Sequence, residues 1–165
     1  MILGLSLATF TLVHVIISLI GIATGLVLLW AMIANKPSKG WTEVFLATTV
    51  ATSVTGFFFP LKAVGPPHIV GAVSLIVLAA TLYALYGRKL TGPWRAVYVI
   101  TATIALYLNS FVGVAQSFTK IAPLKTLEPT GTGPIFGAAQ LVTLALFVWL
   151  GFLANKRFHP APTAD

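Results

Sequence analysis

The sequence predicts an all-α, polytopic transmembrane bundle of five spans, and three observations carry that expectation. Of 165 residues, 58% are hydrophobic and only 8% are charged, and apolar runs of bilayer length recur between short stretches rich in breakers. A soluble domain of this size carries roughly a quarter of its residues as charges and shows polar helix faces. The chain has no cysteine, so neither a disulfide framework nor a thiolate metal site is available to it.

The spans follow from the runs and the residues that interrupt them. The first covers residues 2–34 and ends at Asn35, Lys36, Pro37, Ser38, Lys39 and Gly40, a stretch that hydrocarbon does not accept. It is read as retained, because it lacks the basic start of a secretory signal and far exceeds that signal's apolar core of roughly 7 to 15 residues. The second, residues 44–61, closes at Phe59 and Pro60, and the third, residues 68–86, opens after Gly65, Pro66 and Pro67. The fourth, residues 96–121, follows Pro93, Trp94 and Arg95; the fifth, residues 134–154, runs from Pro134 to Asn155, Lys156 and Arg157. The longest polar stretch is the connection 122–133, so the whole of 1–165 reads as a single transmembrane domain.

Charge sets the expected orientation. One side receives Lys36, Lys39, Arg88, Lys89, Arg95, Lys156 and Arg157, and the other Lys62, Lys120 and Lys125. The positive-inside rule therefore puts the N-terminus outside and the C-terminus in the cytoplasm, and Trp30, Trp41, Trp94 and Trp149 fall near the cytoplasmic ends, as an interfacial belt does. The net charge of +7 then has a topological origin, and no nucleic-acid partner is expected.

Polar residues inside spans are where function is sought, because each needs a partner in hydrocarbon. Span one carries Thr11, His14, Ser18, Gly21 and Gly25 along one face, span two adds Thr48, Thr49, Thr52, Ser53, Thr55 and Gly56, and span four carries Tyr98, Ala102, Ala105, Asn109, Gly113, Gln116 and Lys120. At about 1.5 Å per residue, Asn109 and His14 are expected near mid-membrane, Gln116 about 10 Å further out, Lys120 at the external boundary and Gln140 about 9 Å below Pro134. These positions suggest an outer-leaflet polar cluster of His14, His68, Asn109, Gln116, Lys120 and Gln140 that takes a quinone, a lipid or another small ligand. The competing reading is hydrogen bonding that holds helices together, with Gly21 and Gly25 as a small-xxx-small contact. Spans three and five enter from the outer side at Pro67–His68 and Pro134, so their N-terminal amides, with Lys62, Lys120 and Lys125 nearby, face an anion or a polarised carbonyl; helix-end anchoring by the lysines is the alternative.

Other classes fit less well. Bis-histidine haem needs two imidazoles facing one another at one depth, whereas His14, His68 and His159 are expected mid-membrane, at the outer surface and in the cytoplasmic tail. The acids, Glu43, Glu128 and Asp165, lie outside the spans, which disfavours proton-coupled transport, and no repeat supports alternating access. No His-Glu-x-x-His motif, acidic pair or phosphate-cradling loop points to an enzyme and no metal site is expected. The stretches Thr52 to Pro60 (TSVTGFFFP), Pro66 to Ser74 (PPHIVGAVS), Tyr107 to Lys120 (YLNSFVGVAQSFTK) and the loop around Leu127 to Phe136 resemble a group of short, uncharacterised bacterial inner-membrane proteins with five predicted spans. That resemblance implies a multi-pass location in the bacterial inner membrane and carries no activity with it. The functional expectation is a non-enzymatic binding or accessory subunit in the lipid bilayer, within a larger membrane complex or homo-oligomer; the alternative is a small-solute or ion channel or transporter.

Overall fold

The computed structural model describes residues 2–36, 38–60 and 65–160. Pro37, Leu61 at the expected end of span two, Lys62 of the outer charge set and Asp165 lie outside the described residues. Among the described residues the chain is helical apart from turns and one isolated bridge between Ile2 and Leu5. Its elements are α1 (Leu7–Ile33), α2 (Lys39–Gly56), α3 (Pro66–Leu82) continued by a π-helical turn (Tyr83–Gly87), α4 (Trp94–Lys120), the short α5 (Ala122–Leu127) and α6 (Pro134–Arg157). Four of them, α1, α3 with its π turn, α4 and α6, are long and apolar enough to cross a membrane. α2 reaches 18 residues but includes Lys39, Glu43 and six hydroxyl side chains, and this composition keeps it below the hydropathy of the other four.

Caps explain where the observed ends depart from the apolar runs. α1 begins at Leu7, not at residue 2, because the Ser6 hydroxyl accepts the Thr9 N–H at 3.1 Å and caps the first turn. It ends in a Schellman motif: Asn35 adopts φ 51°, its N–H reaches Met32 O at 3.0 Å, and the Lys36 N–H reaches Ala31 O at 2.9 Å. α2 starts five residues before the expected position 44, since Thr42 turns its hydroxyl back onto Ser38 O at 3.0 Å and the polar opening forms a helical turn. The connection after α4 contains α5, a helical turn that its polar composition concealed.

Side-chain contacts fix the helix directions. Along the α1–α2 pair, His14 meets Thr55, Ser18 meets Thr52 and Gly25 faces Phe45, so the pair is antiparallel. Ser53 bonds Ser74 across α2 and α3, Thr81 bonds Thr101 across α3 and α4, and Gln140 and Gly151 of α6 meet Phe111 and Thr103 of α4. Thus α1, α3 and α6 run one way, and α2 and α4 the other. One end, here the basic end, gathers Ile33, Lys39, Gly87, Trp94 and Arg157.

The core lies toward the basic end, where Leu28, Leu29, Met32, Phe45, Leu46, Leu78, Val99, Ala102 and Leu106 are buried together. Gly25 makes this possible: with no Cβ, it lets Leu106 and the Phe45 ring close onto the α1 backbone. Toward the far end of α1, Leu12, Val13, Val15, Ile16 and Leu19 are exposed, while Phe10 is buried.

Candidate functional site

The polar residues of the far half form a seam between α1, α2 and α4. Helical hydroxyls first bond their own backbone: Thr48 to Val44 O at 2.6 Å, Ser53 to Thr49 O at 2.9 Å and Thr55 to Ala51 O at 2.6 Å. Ser18 bonds His14 O at 2.8 Å and reaches Thr52 at 3.4 Å. Asn109, buried on α4, donates Nδ2 to Ser18 O at 3.2 Å. It does so across Gly21, at whose face Asn109, Thr48 and Thr49 all converge. A side chain on residue 21 would occupy that space, so the glycine serves a polar contact as well as a close helix approach.

His14 differs from the rest of the seam. It stands seven residues into α1, about 10 Å from the helix start, nearer the far end than the mid-depth expected, because α1 begins at Leu7. Its Nδ1 lies 2.8 Å from Thr55 Oγ1. Thr55 Oγ1 also lies 2.6 Å from Ala51 O and 3.2 Å from Thr52 O; with its hydrogen on either carbonyl, its oxygen accepts from a proton on His14 Nδ1. In the neutral ring Nε2 is then a free acceptor, and among the described residues it has no hydrogen-bond partner. The imidazole is only half-buried, with the Phe59 ring edge-on at 5.0 Å and Phe10 against Phe59 at 5.1 Å.

The remaining expected site residues separate. His68, in the first turn of α3, accepts the Gly65 N–H on Nδ1 at 3.2 Å, capping its own helix, with Phe57 at 5.8 Å; its neutral tautomer therefore places the proton on Nε2. Gln140 is buried between α6 and α4, donating Nε2 to Phe111 O at 3.0 Å, and its Oε1 has no partner among the described residues. Gln116 and Lys120 are exposed. They continue the Asn109 stripe of α4, whereas Phe118 at the same end is buried against Phe136 of α6. Among the described residues, no three histidine or carboxylate side chains converge.

Two residues outside the expected cluster hold α6 in place. Glu128 is buried, accepts the Ile135 N–H at 3.3 Å and Thr130 Oγ1 at 3.1 Å, and packs directly against Gly133. It thereby puts a negative charge at the α6 N-terminus. At the other end Arg95 donates to Asn155 O and Phe158 O, both at 2.8 Å. Glu128 beside Pro129 and Arg95 beside Trp94 read in sequence as loop and boundary charges; the only sequence signal for their role is their sign opposite the ends of the fifth span.

Asn109→Leu is expected to cost about 1 kcal/mol through loss of the interhelical bond, read as a lower thermal unfolding midpoint in detergent. Gln116→Leu on the exposed face is expected to leave that midpoint unchanged. No protein-family model, curated protein or solved structure matches this chain.

Proposed function

We propose that the chain is a non-enzymatic binding or accessory protein of the bacterial inner membrane that crosses it five times, N-terminus outside, and takes a hydroxyl-bearing amphiphile such as a quinol at His14 in the outer leaflet. The fifth span is α2. Its 18 residues measure about 27 Å, close to a hydrocarbon core of about 30 Å. Self-bonding by Thr48, Ser53 and Thr55 lowers the cost of its hydroxyls in lipid. The asymmetry of basic residues supports the orientation, and the resemblance noted above supports the membrane.

The observation that carries the ligand reading is the free His14 Nε2. Thr49 Oγ1 also lacks a partner but is fully buried, whereas this nitrogen, on a half-buried ring beside Phe59, is an acceptor without a partner among the described residues. A quinol O–H donates to such a nitrogen, and Phe10 and Phe59 offer aromatic edges to the ring that carries it. His68, whose ring proton sits on Nε2, supplies a donor at the same end. The exposed face of α6, with Leu141, Val142, Val148 and Phe152, supports association within a larger membrane complex or a homo-oligomer.

The test is purification from native membranes in mild detergent with mass spectrometry of bound molecules, followed by titration with a decyl-substituted benzoquinol. Binding to the parent protein, weakened at least tenfold by His14→Phe and unaffected by Gln116→Leu, is expected; a tenfold loss corresponds to about 1.4 kcal/mol, one hydrogen bond. Equal affinity in the His14→Phe protein overturns the site. Solute flux through protein-containing liposomes, abolished by Asn109→Leu, would favour the channel alternative instead.

A further inference from the structure

At the basic end, α2 and the π-helical continuation of α3 part to leave a groove of about 290 Å3 lined by Glu43, Leu46, Ala47, Val50, Leu82 and Tyr86. The same two helices are in contact further along, where Ser53 bonds Ser74 at 2.9 Å and the Phe57 ring lies on Gly71. Leu46 is buried and forms the floor; Ala47, small and exposed, keeps one wall low. The π turn shapes the opposite wall. Its i→i+5 bond, Arg88 N–H to Tyr83 O at 2.9 Å, inserts an extra residue into the turn, a feature that concentrates at functional positions. Tyr83 is turned onto Trp94, ring centroids 5.1 Å apart. Tyr86 is left at the groove mouth, exposed and without a hydrogen-bond partner among the described residues.

Of the charges at this end, Glu43 lines the groove and Lys39 stands beside it. Lys39 and Glu43 stand one helical turn apart, 4.0 Å from Nζ to Oε1, with side chains 89% and 50% exposed. So open a pair is held weakly, and each group is free to exchange its partner. The slot from Glu43 to Val50 is seven residues long, about 10 Å, too short to seat a spanning helix but sized for the upper part of one acyl chain. A lone acidic group here repels a phosphate, yet an adjacent ammonium on Lys39 attracts one, and a ligand carrying both a phosphate and a primary amine satisfies both.

We propose that this groove binds a zwitterionic phospholipid with a primary-amine headgroup, its acyl chain against Leu46, Ala47, Val50 and Leu82. The lipid ammonium donates to the Glu43 carboxylate, the phosphate accepts from Lys39, and the Tyr86 hydroxyl closes the mouth over the glycerol. Headgroup selection resides in Glu43: a phosphatidylglycerol has no amine to give it, and a trimethylated phosphocholine has no N–H to donate. The inference rests on the reading that α2 spans the membrane with Lys39 at its boundary, and is independent of the His14 site.

The experiment is native mass spectrometry of the full chain extracted from vesicles containing equal parts phosphatidylethanolamine, phosphatidylcholine and phosphatidylglycerol. The parent protein is expected to retain phosphatidylethanolamine at least fivefold over the other two. Glu43→Gln, which alters a half-exposed group and no packing contact, is expected to erase that preference, and Ala47→Trp, which fills the slot, to lose retention of all three. Equal retention of the three lipids by the parent, or an unchanged preference in Glu43→Gln, overturns the proposal whether or not Ala47→Trp folds. Because the chain has no cysteine, labelling of a Ser38→Cys protein in sealed vesicles reports the position of this end separately. A label excluded from both faces would reject the topology, whereas a one-sided label with no lipid preference would reject only the groove.

Discussion

A Gly25→Val protein is expected to lose stability in detergent by about 1 to 3 kcal/mol, the usual cost of overpacking a filled core, with a matching fall in its unfolding midpoint. A Cβ built on Gly25 would stand 2.5 Å from Leu106 Cδ1 and 2.8 Å from two carbons of the Phe45 ring. Those atoms belong to α4 and α2, so relief requires both neighbours to withdraw from α1. Alanine already adds the Cβ that meets Leu106 and Phe45, but its gain of roughly 1 kcal/mol of helix propensity over glycine offsets part of that cost, so it is the less decisive test. Valine adds two further methyls in a nearly fixed rotamer at the same crowded point. Gly137→Ala is the control, because nothing lies within 4 Å of its added Cβ, and it is expected to be as stable as the parent or up to about 1 kcal/mol more so. If the two variants unfold together, Gly25 is not the point on which the basic-half core closes.

The Gly25 contact was legible in the sequence as a small-xxx-small pair, and so was most of the helical layout. Apolar runs located α1, α3, α4 and α6 because hydrocarbon demands length and apolarity, properties that a run displays directly. Their ends were less legible, since an end is set by a cap: Ser6 shortens α1, Thr42 lengthens α2, and Lys156 and Arg157 continue α6 as cations favourable at a helix C-terminus. Of the expected polar cluster, Asn109 and Gln140 are buried, whereas Gln116 and Lys120 are exposed. Periodicity places Gln116 and Lys120 on the Asn109 stripe, but it contains no information on where neighbouring helices diverge. Nor does hydropathy reveal tautomers; the state of His14 follows from a hydroxyl 41 positions away, whose own hydrogen goes to a backbone carbonyl.

Truncation of Arg95 is expected to have the larger effect at the basic end. Arg95 lies in the first turn of α4, where a cation opposes the positive end of its own helix by roughly 0.3 to 1 kcal/mol. Its position is explained by α6: the guanidinium donates to Asn155 O and Phe158 O, both at 2.8 Å, at a helix terminus whose carbonyls have no partners within the helix. Hydrogen bonds to a charged group contribute about 1.5 to 3 kcal/mol each, so the favourable contacts outweigh the wrong-sign placement. With Phe158 held, its buried ring lies 6.2 Å from the Tyr98 ring, and the next N–H, that of His159, reaches Asn35 Oδ1 at 2.8 Å. One side chain thus ties the ends of α4, α6 and α1. Arg95→Ala is expected to lower stability by about 2 to 4 kcal/mol and to release the tail, so that trypsin cleaves after Arg157 at least several-fold faster than in the parent. Arg95→Lys retains the charge on a single nitrogen without the planar fork and is expected to fall between the two. Arg95→Ala with parental unfolding and parental cleavage would mean that packing of Phe158 on Tyr98 suffices to hold the tail.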